Sequence, residues 1–185
     1  MITLLGLGPG DPNLLTRQAW QVLSQADEVY LRTRSHPAVP GFPSGLKVRA
    51  FDHFYEEEES FSAVYARIVD EVLTLGQRAG GVIYAVPGHP FVAEATAPEI
   101  ARRARQAGIP VQVVEGLSFL EPTFTALGVD PLPLTAVVDA LELVQAHFPP
   151  FPPDAPALIA QIYDRQIAAE VKITLTALYP DEHPV

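Results

Sequence analysis

Two short apolar runs constrain this chain more than anything else in it. Each empties into a glycine- and proline-rich turn and then a helix start: MITLLGLGPGDPNLLT over Met1–Thr16 and YAVPGHPFVAE over Tyr84–Glu94. Ile2–Leu5 has the near-continuous apolarity of a strand covered on both faces of a parallel sheet. Gly8 and Gly10 supply left-handed backbone and close approach where the chain leaves that strand. Thr16 then suits the N-cap of the following helix. A dinucleotide fingerprint needs G-x-G-x-x-G, and counting from Gly6 its last position is Asp11, whose carboxylate repels phosphate. A phosphate-binding P-loop needs Lys-Ser or Lys-Thr after the glycines, and none follows. The turn therefore offers main-chain groups and one carboxylate, suited to a cation, a ribose or an amino-acid group. Taken alone, it is equally a tight turn with no ligand.

The second loop shifts that balance. Val82–Val86 is another apolar strand, broken by Pro87-Gly88-His89-Pro90. Loops at the carboxyl ends of buried strands are where open α/β sheets place ligands. Further strands are expected at Asp27–Leu31, Lys47–Phe51 and Ile109–Val114, giving five that alternate with helices. Trp20, Val22 and Leu23 form an apolar helical stripe, with Trp20 read as core. Phe61, Val64, Tyr65, Ile68, Val72 and Leu75 mark a long amphipathic helix, N-capped by Ser60 and closed by Gly80-Gly81. The acids Glu56–Glu59 read as a solvated helix entry, since contiguous carboxylates cannot all face one metal ion. His36, in the loop Thr33–Gly45, reads as a surface residue, as do His53, His147 and His183. A helix from about Ala93 to Ala107 carries Arg102, Arg103 and Arg105 at its C-terminal end, where they suit the dipole.

Glu115–Ser118 reads as a hinge, dividing the chain into 1–115 and 116–185. In the second part, Phe119–Leu127 and Ile167–Leu178 are expected as helices, Ala136–Asp139 as a short strand and Ala157–Tyr163 as a buried strand. Phe148–Pro156 is a proline-rich loop. The 185 residues, 48% hydrophobic, suffice for one good core or two small ones. Absence of cysteine removes disulfides, thiolate nucleophiles and cysteine-ligated zinc. Acids outnumber bases 22 to 12, for a net charge of −10, which argues against nucleic acid as the main partner. No apolar run reaches membrane-spanning length, and the N-terminal run lacks a basic flank, so a soluble cytoplasmic protein is expected.

GLGPGDPNLLT at Gly6–Thr16, PGHPFVAEAT at Pro87–Thr96 and EGLSFLEPTFTALGVDPL at Glu115–Leu132 resemble, in order, three motifs of the tetrapyrrole (porphyrin/corrin) methylases. VYLRT at Val29–Thr33, FYEEEESFSAVY at Phe54–Tyr65 and QIYDRQIAAEVK at Gln161–Lys172 resemble the branch fused to MazG-type nucleotide pyrophosphohydrolases. The resemblance implies a two-domain α/β fold. Its first domain would be a five-stranded, mostly parallel sheet with helices on both faces, and its second a smaller α/β unit. It also implies S-adenosyl-L-methionine as cofactor, held between the domains, with methyl transfer to a small-molecule acceptor. Gly8, Pro87, Gly88, His89, Phe91, Val92, Ala93, Ser118, Phe119, Gln161, Ile162 and Tyr163 would contact the cofactor. Asp11, with His89, would serve the acceptor. His89 stands where the wider family carries aspartate, which leaves the acceptor open. Tyr163-Asp164 reads equally as a core tyrosine followed by a helix N-cap. The chain stops at Pro184-Val185, where the family continues through further strands, so the second domain reads as truncated and the chain as a fragment prone to dimerise through exposed sheet. Three activities remain open: methyl transfer, cofactor sensing on behalf of an attached hydrolase, and structural dimerisation.

Overall fold

The computed structural model describes residues 1–183; the end at Pro184-Val185, on which the expected truncation turns, lies outside the described residues. The chain divides into two compact units, Met1–Leu127 and Gly128–Val185. Gly116–Leu127, expected to open the second domain, groups with the first unit.

The first unit is a five-stranded sheet in the order β3-β2-β4-β1-β5. The strands are β1 (Ile2–Gly6), β2 (Glu28–Leu31), β3 (Lys47–Ala50), β4 (Val82–Val86) and β5 (Val111–Val114), and every pairing is parallel. β1 is buried at all its positions because strands flank it and helices cover both faces. The side-chain alternation of a strand divides its residues between two cores. Ile2 and Leu4 face α3 (Phe61–Leu75) and α4 (Thr96–Gln106), joined by Tyr84 and Val86. Leu5 and Leu7 face α1 (Arg17–Gln25), with Val29, Leu31 and Ala85. The amphipathic stripe expected on α3 is the face that packs here, and Ser60 caps it by accepting from Ala63 N–H.

Four local expectations are corrected. Trp20 is 45% exposed; Ala19 and Leu23, one turn apart, take the buried stripe of α1, and Trp20 falls on its solvent flank. α3 ends at Leu75 with Gly76 as its cap, and Gly80-Gly81 instead form the turn into β4. Glu56 and Glu57 close a short helix, α2 (Asp52–Glu57), that the acidic run concealed. Glu57 and Glu58 pair with Arg67 at 2.8 and 2.6 Å. His36 is buried.

The second unit begins after α5 (Leu120–Leu127) and pairs β6 (Ala136–Asp139) with β7 (Ala157–Ala160) in parallel. α6 (Ala140–Ala146) and α7 (Arg165–Leu175) cover it around Ala140, Leu143, Phe151, Ile167 and Val171. β7 stops at Ala160 and is only half-buried, because β6 is its one neighbour among the described residues. The buried strand expected through Tyr163 is therefore shorter and more open. No helix among the described residues is long and apolar enough to cross a membrane.

Candidate functional site

Parallel pairing of β4, β1 and β5 delivers the two glycine loops and the segment Glu115–Ser118 to one end of the sheet. Gly8 N–H donates to Gly88 O at 3.2 Å and Gly88 N–H to Gly8 O at 2.8 Å, so the loops are stitched by main chain. Gly6, Gly88 and Gly116 crowd together. A Cβ on Gly6 would lie 2.5 Å from Gly88 O and 2.6 Å from Gly116 N; one on Gly116 would lie 2.4 Å from Gly88 O. Only glycine permits that approach. Thr16 caps α1 and also donates from Oγ1 to Glu115 O at 3.1 Å, tying the third motif to the first. Gly88 differs from the other two. At φ 68° its nearest neighbours to an added Cβ are 3.9 Å away, at Leu117 O and Ser118 Cα. Its outer face is therefore a cradle that a side chain would fill.

Gly8, Pro87, Gly88, His89, Phe91, Val92, Ala93, Ser118 and Phe119 all lie within the first unit. His89 Nδ1 accepts from Phe91 N–H at 3.0 Å, and Val92 N–H donates to His89 O at 3.1 Å, which turns the loop over. Phe91 is exposed, and Ala93 holds a left-handed φ of 51°. Ser118 is buried; its N–H and Oγ donate to Glu121 Oε2 at 2.8 and 2.7 Å. Burial works to raise the Glu121 carboxyl, but those Ser118 bonds, aided by His89, prevail and hold it below its ordinary range. Asp11 is exposed, and its Oδ1 accepts from Asn13 N–H at 2.8 Å and Asn13 Nδ2 at 3.0 Å, capping a single turn at Pro12–Leu14. Gln161, Ile162 and Tyr163 lie in the second unit just past β7, all exposed, with Gln161 at φ 68°. Tyr163 is not a core tyrosine, whereas Asp164 is the N-cap of α7, accepting from Ile167 N–H at 2.8 Å.

Sequence reasoning missed the loop that follows β2. His36 Nε2 donates to Gly8 O at 3.1 Å while its Nδ1 faces Ala38 N–H at 3.4 Å, which fixes the neutral Nε2–H tautomer. Burial, with Arg32 nearby, depresses its pKa. Arg32 donates from Nη1 to Glu94 Oε1 at 2.9 Å. Burial opposes the Arg32 charge, but the Glu94 carboxylate prevails and holds the guanidinium above its ordinary range. Tyr84, in β4, shares a 2.8 Å hydrogen bond with Thr96. Tyr55, beside this group, is pushed up to about 12, chiefly by burial. Arg32 stood within VYLRT and Glu94 within the second loop, but nothing in their spacing pairs residues so far apart in sequence.

The sequence matches, over residues 1–185, the family model described as Tetrapyrrole (Corrin/Porphyrin) Methylases. The chain belongs to the tetrapyrrole methylase family. Among its relatives in that family is the uncharacterized protein YabN of Bacillus subtilis, 40% identical over the whole of this chain, which spans 37% of that protein's length. A siroheme synthase of Stutzerimonas stutzeri is 31% identical over 63% of the chain, and the match covers 24% of that enzyme. The solved uroporphyrin-III-C-methyltransferase of Thermus thermophilus is 26% identical, with a TM-score of 0.66 over 97% of this chain and 72% of its own. Cobalt precorrin-4 methyltransferase, at 17% identity and a TM-score of 0.60 over 96% of this chain and 74% of its own, shares the methylase fold.

Proposed function

We propose that this methylase-family chain binds S-adenosyl-L-methionine and transfers its methyl group to a small acceptor. The observation that carries this reading is the convergence of Gly6, Gly88 and Gly116, with the open outer face of Gly88, at the ligand end of the sheet. When bound, the cofactor supplies an already activated methyl group. The protein then has to hold nucleophile and methyl in attack geometry and keep water out. Main chain of Gly8, Pro87, Gly88, Val92 and Ala93 contacts the cofactor in this reading, with His89, Phe91, Ser118 and Phe119 bordering it. His89, its Nδ1 accepting from Phe91 N–H, stands on the acceptor side with Asp11. Asp11 positions the acceptor or takes its proton.

The chain spans little more than a third of its YabN relative, and we place it in a larger cytoplasmic protein carrying a MazG-type nucleotide pyrophosphohydrolase, assembled as a homodimer. A second reading draws on Asp11, whose carboxylate is committed to Asn13: the domain then senses the cofactor for the hydrolase without turnover. Calorimetric titration with S-adenosylhomocysteine tests the shared premise. Micromolar binding that Gly88→Arg abolishes is expected; a silent titration would leave fold-level likeness alone. A screen for methyl transfer then separates enzyme from sensor.

A further inference from the structure

The Arg32–Glu94 pair has no part in the contacts assigned above. The Glu94 side chain is 1% exposed and that of Arg32 21%. Besides Arg32, the Glu94 carboxylate accepts from Thr96 Oγ1 at 3.0 Å and from Ala97 N–H at 2.7 Å. Arg32 Nε is buried without a partner among the described residues. As a stabilising device this is poor: desolvation offsets much of the attraction between buried charges, and an orphaned donor costs about 1–3 kcal/mol. Immediately before Glu94 stands Ala93 at φ 51°, a conformation costing a residue with a Cβ about 1–2 kcal/mol. Two unfavourable features meet on one turn of the second glycine loop, and strain of this kind persists only where its surroundings over-determine it.

We propose that Arg32 is a positioning residue that holds Ala93 in its left-handed turn and so presets the second loop for the cofactor. Arg32 is itself fixed, since its N–H donates to Ala85 O of β4 at 3.0 Å. Glu94 is consequently gripped from the sheet by Arg32 and from the first turn of α4 by Ala97. Relaxing Ala93 to negative φ would swing Glu94 out of one grip or the other. The inference rests on the cofactor reading for its purpose, and on loop geometry alone for its action.

Hydrogen exchange at the Val92–Ala95 amides of the ligand-free protein tests the action. Arg32→Met should accelerate it roughly tenfold with β1 and β4 amides unchanged. Unchanged exchange overturns the proposal whether or not the cofactor binds. S-adenosylhomocysteine affinity tests the purpose. Arg32→Met should weaken it roughly tenfold, and adding Ala93→Gly should recover most of the loss, because glycine takes this φ without strain. Affinity equal to that of the parent protein overturns the positioning role, and so does a loss that Ala93→Gly fails to recover, which would give Arg32 a direct ligand contact. Arg32→Lys, expected to show a smaller version of both effects, replaces Arg32→Met if the latter does not fold. A parent protein that binds nothing sinks the cofactor reading, while the exchange result still decides what Arg32 does.

Discussion

The two glycine loops leave neighbouring strands and bond to each other, yet they are secured by different physics. The first is held by main chain, by the threonine cap at Thr16 and by a neutral imidazole at Gly8 O; its one carboxylate, Asp11, faces solvent. The second is held by a carboxylate taken almost wholly out of water and matched to a guanidinium. Anchors made of neutral hydrogen bonds contribute about 1 kcal/mol each and fail one at a time. A buried ion pair fails all at once when one partner goes, because the survivor is left charged and unpaired. The contrast predicts a tolerant first loop and an intolerant second one.

The shared seam is where the contrast should vanish. Gly116→Ala would drive a Cβ to 2.4 Å from Gly88 O and 2.8 Å from Gly6 C, main-chain atoms that the end of β1 and the Gly8–Gly88 stitch keep from stepping aside. We expect a loss of more than roughly 3 kcal/mol by denaturant unfolding; a loss under 1 kcal/mol would mean that the seam is looser than it looks. Glu94→Gln comes next and touches the second loop alone. The amide keeps the acceptor for Ala97 N–H but strands the Arg32 charge, so about 3 kcal/mol should be lost. The same change at Asp11, Asp11→Asn, keeps a capping oxygen for Asn13 at an exposed turn and should stay within about 0.5 kcal/mol. Equal losses at the two carboxylates would break the comparison.

How far this arrangement was legible follows from which forces are local. Strand and helix positions in the first unit were readable because apolar runs and caps report them residue by residue: the strand expected over Ile2–Leu5 runs one residue further, to Gly6, while Val82–Val86 and the Ser60 cap stand where the pattern put them. The glycines were readable as sites of close approach, although not that Gly6, Gly88 and Gly116 approach one another. Trp20 failed because periodicity marks a stripe without its centre, and one position of rotation carried the ring to solvent. α2 was hidden because its acids masked a short helix. His36 and the Arg32–Glu94 pair were illegible for another reason. A proline-flanked histidine and an arginine beside a strand are ordinary surface signals, and only sheet order brings the β2 loop against the loops of β1 and β4. β7 misled in the opposite direction, its apolar run having one partner strand among the described residues.

The smallest expected effect is the most diagnostic of the first loop. His36 is depressed below its ordinary value of 6.5 by burial and by Arg32, against the bond to Gly8 O. Above that ordinary value both folded and unfolded chains carry it neutral, and stability is unaffected. As pH falls below it, the unfolded chain takes the proton first, so unfolding gains and stability declines until the folded value is passed. Protonation also removes Nδ1 as the acceptor facing Ala38 N–H, leaving two N–H groups opposed. The carboxylates held below their ordinary 4.5, Glu28, Glu99 and Glu121, lose their share only at lower pH, so the windows separate. His36→Gln keeps an N–H donor for Gly8 O and cannot titrate. Urea unfolding between pH 7 and pH 5 should show a decline in the parent protein that this variant lacks. If the two curves run parallel, the imidazole is not what closes the first loop, and the main-chain stitch between Gly8 and Gly88 carries that task without it.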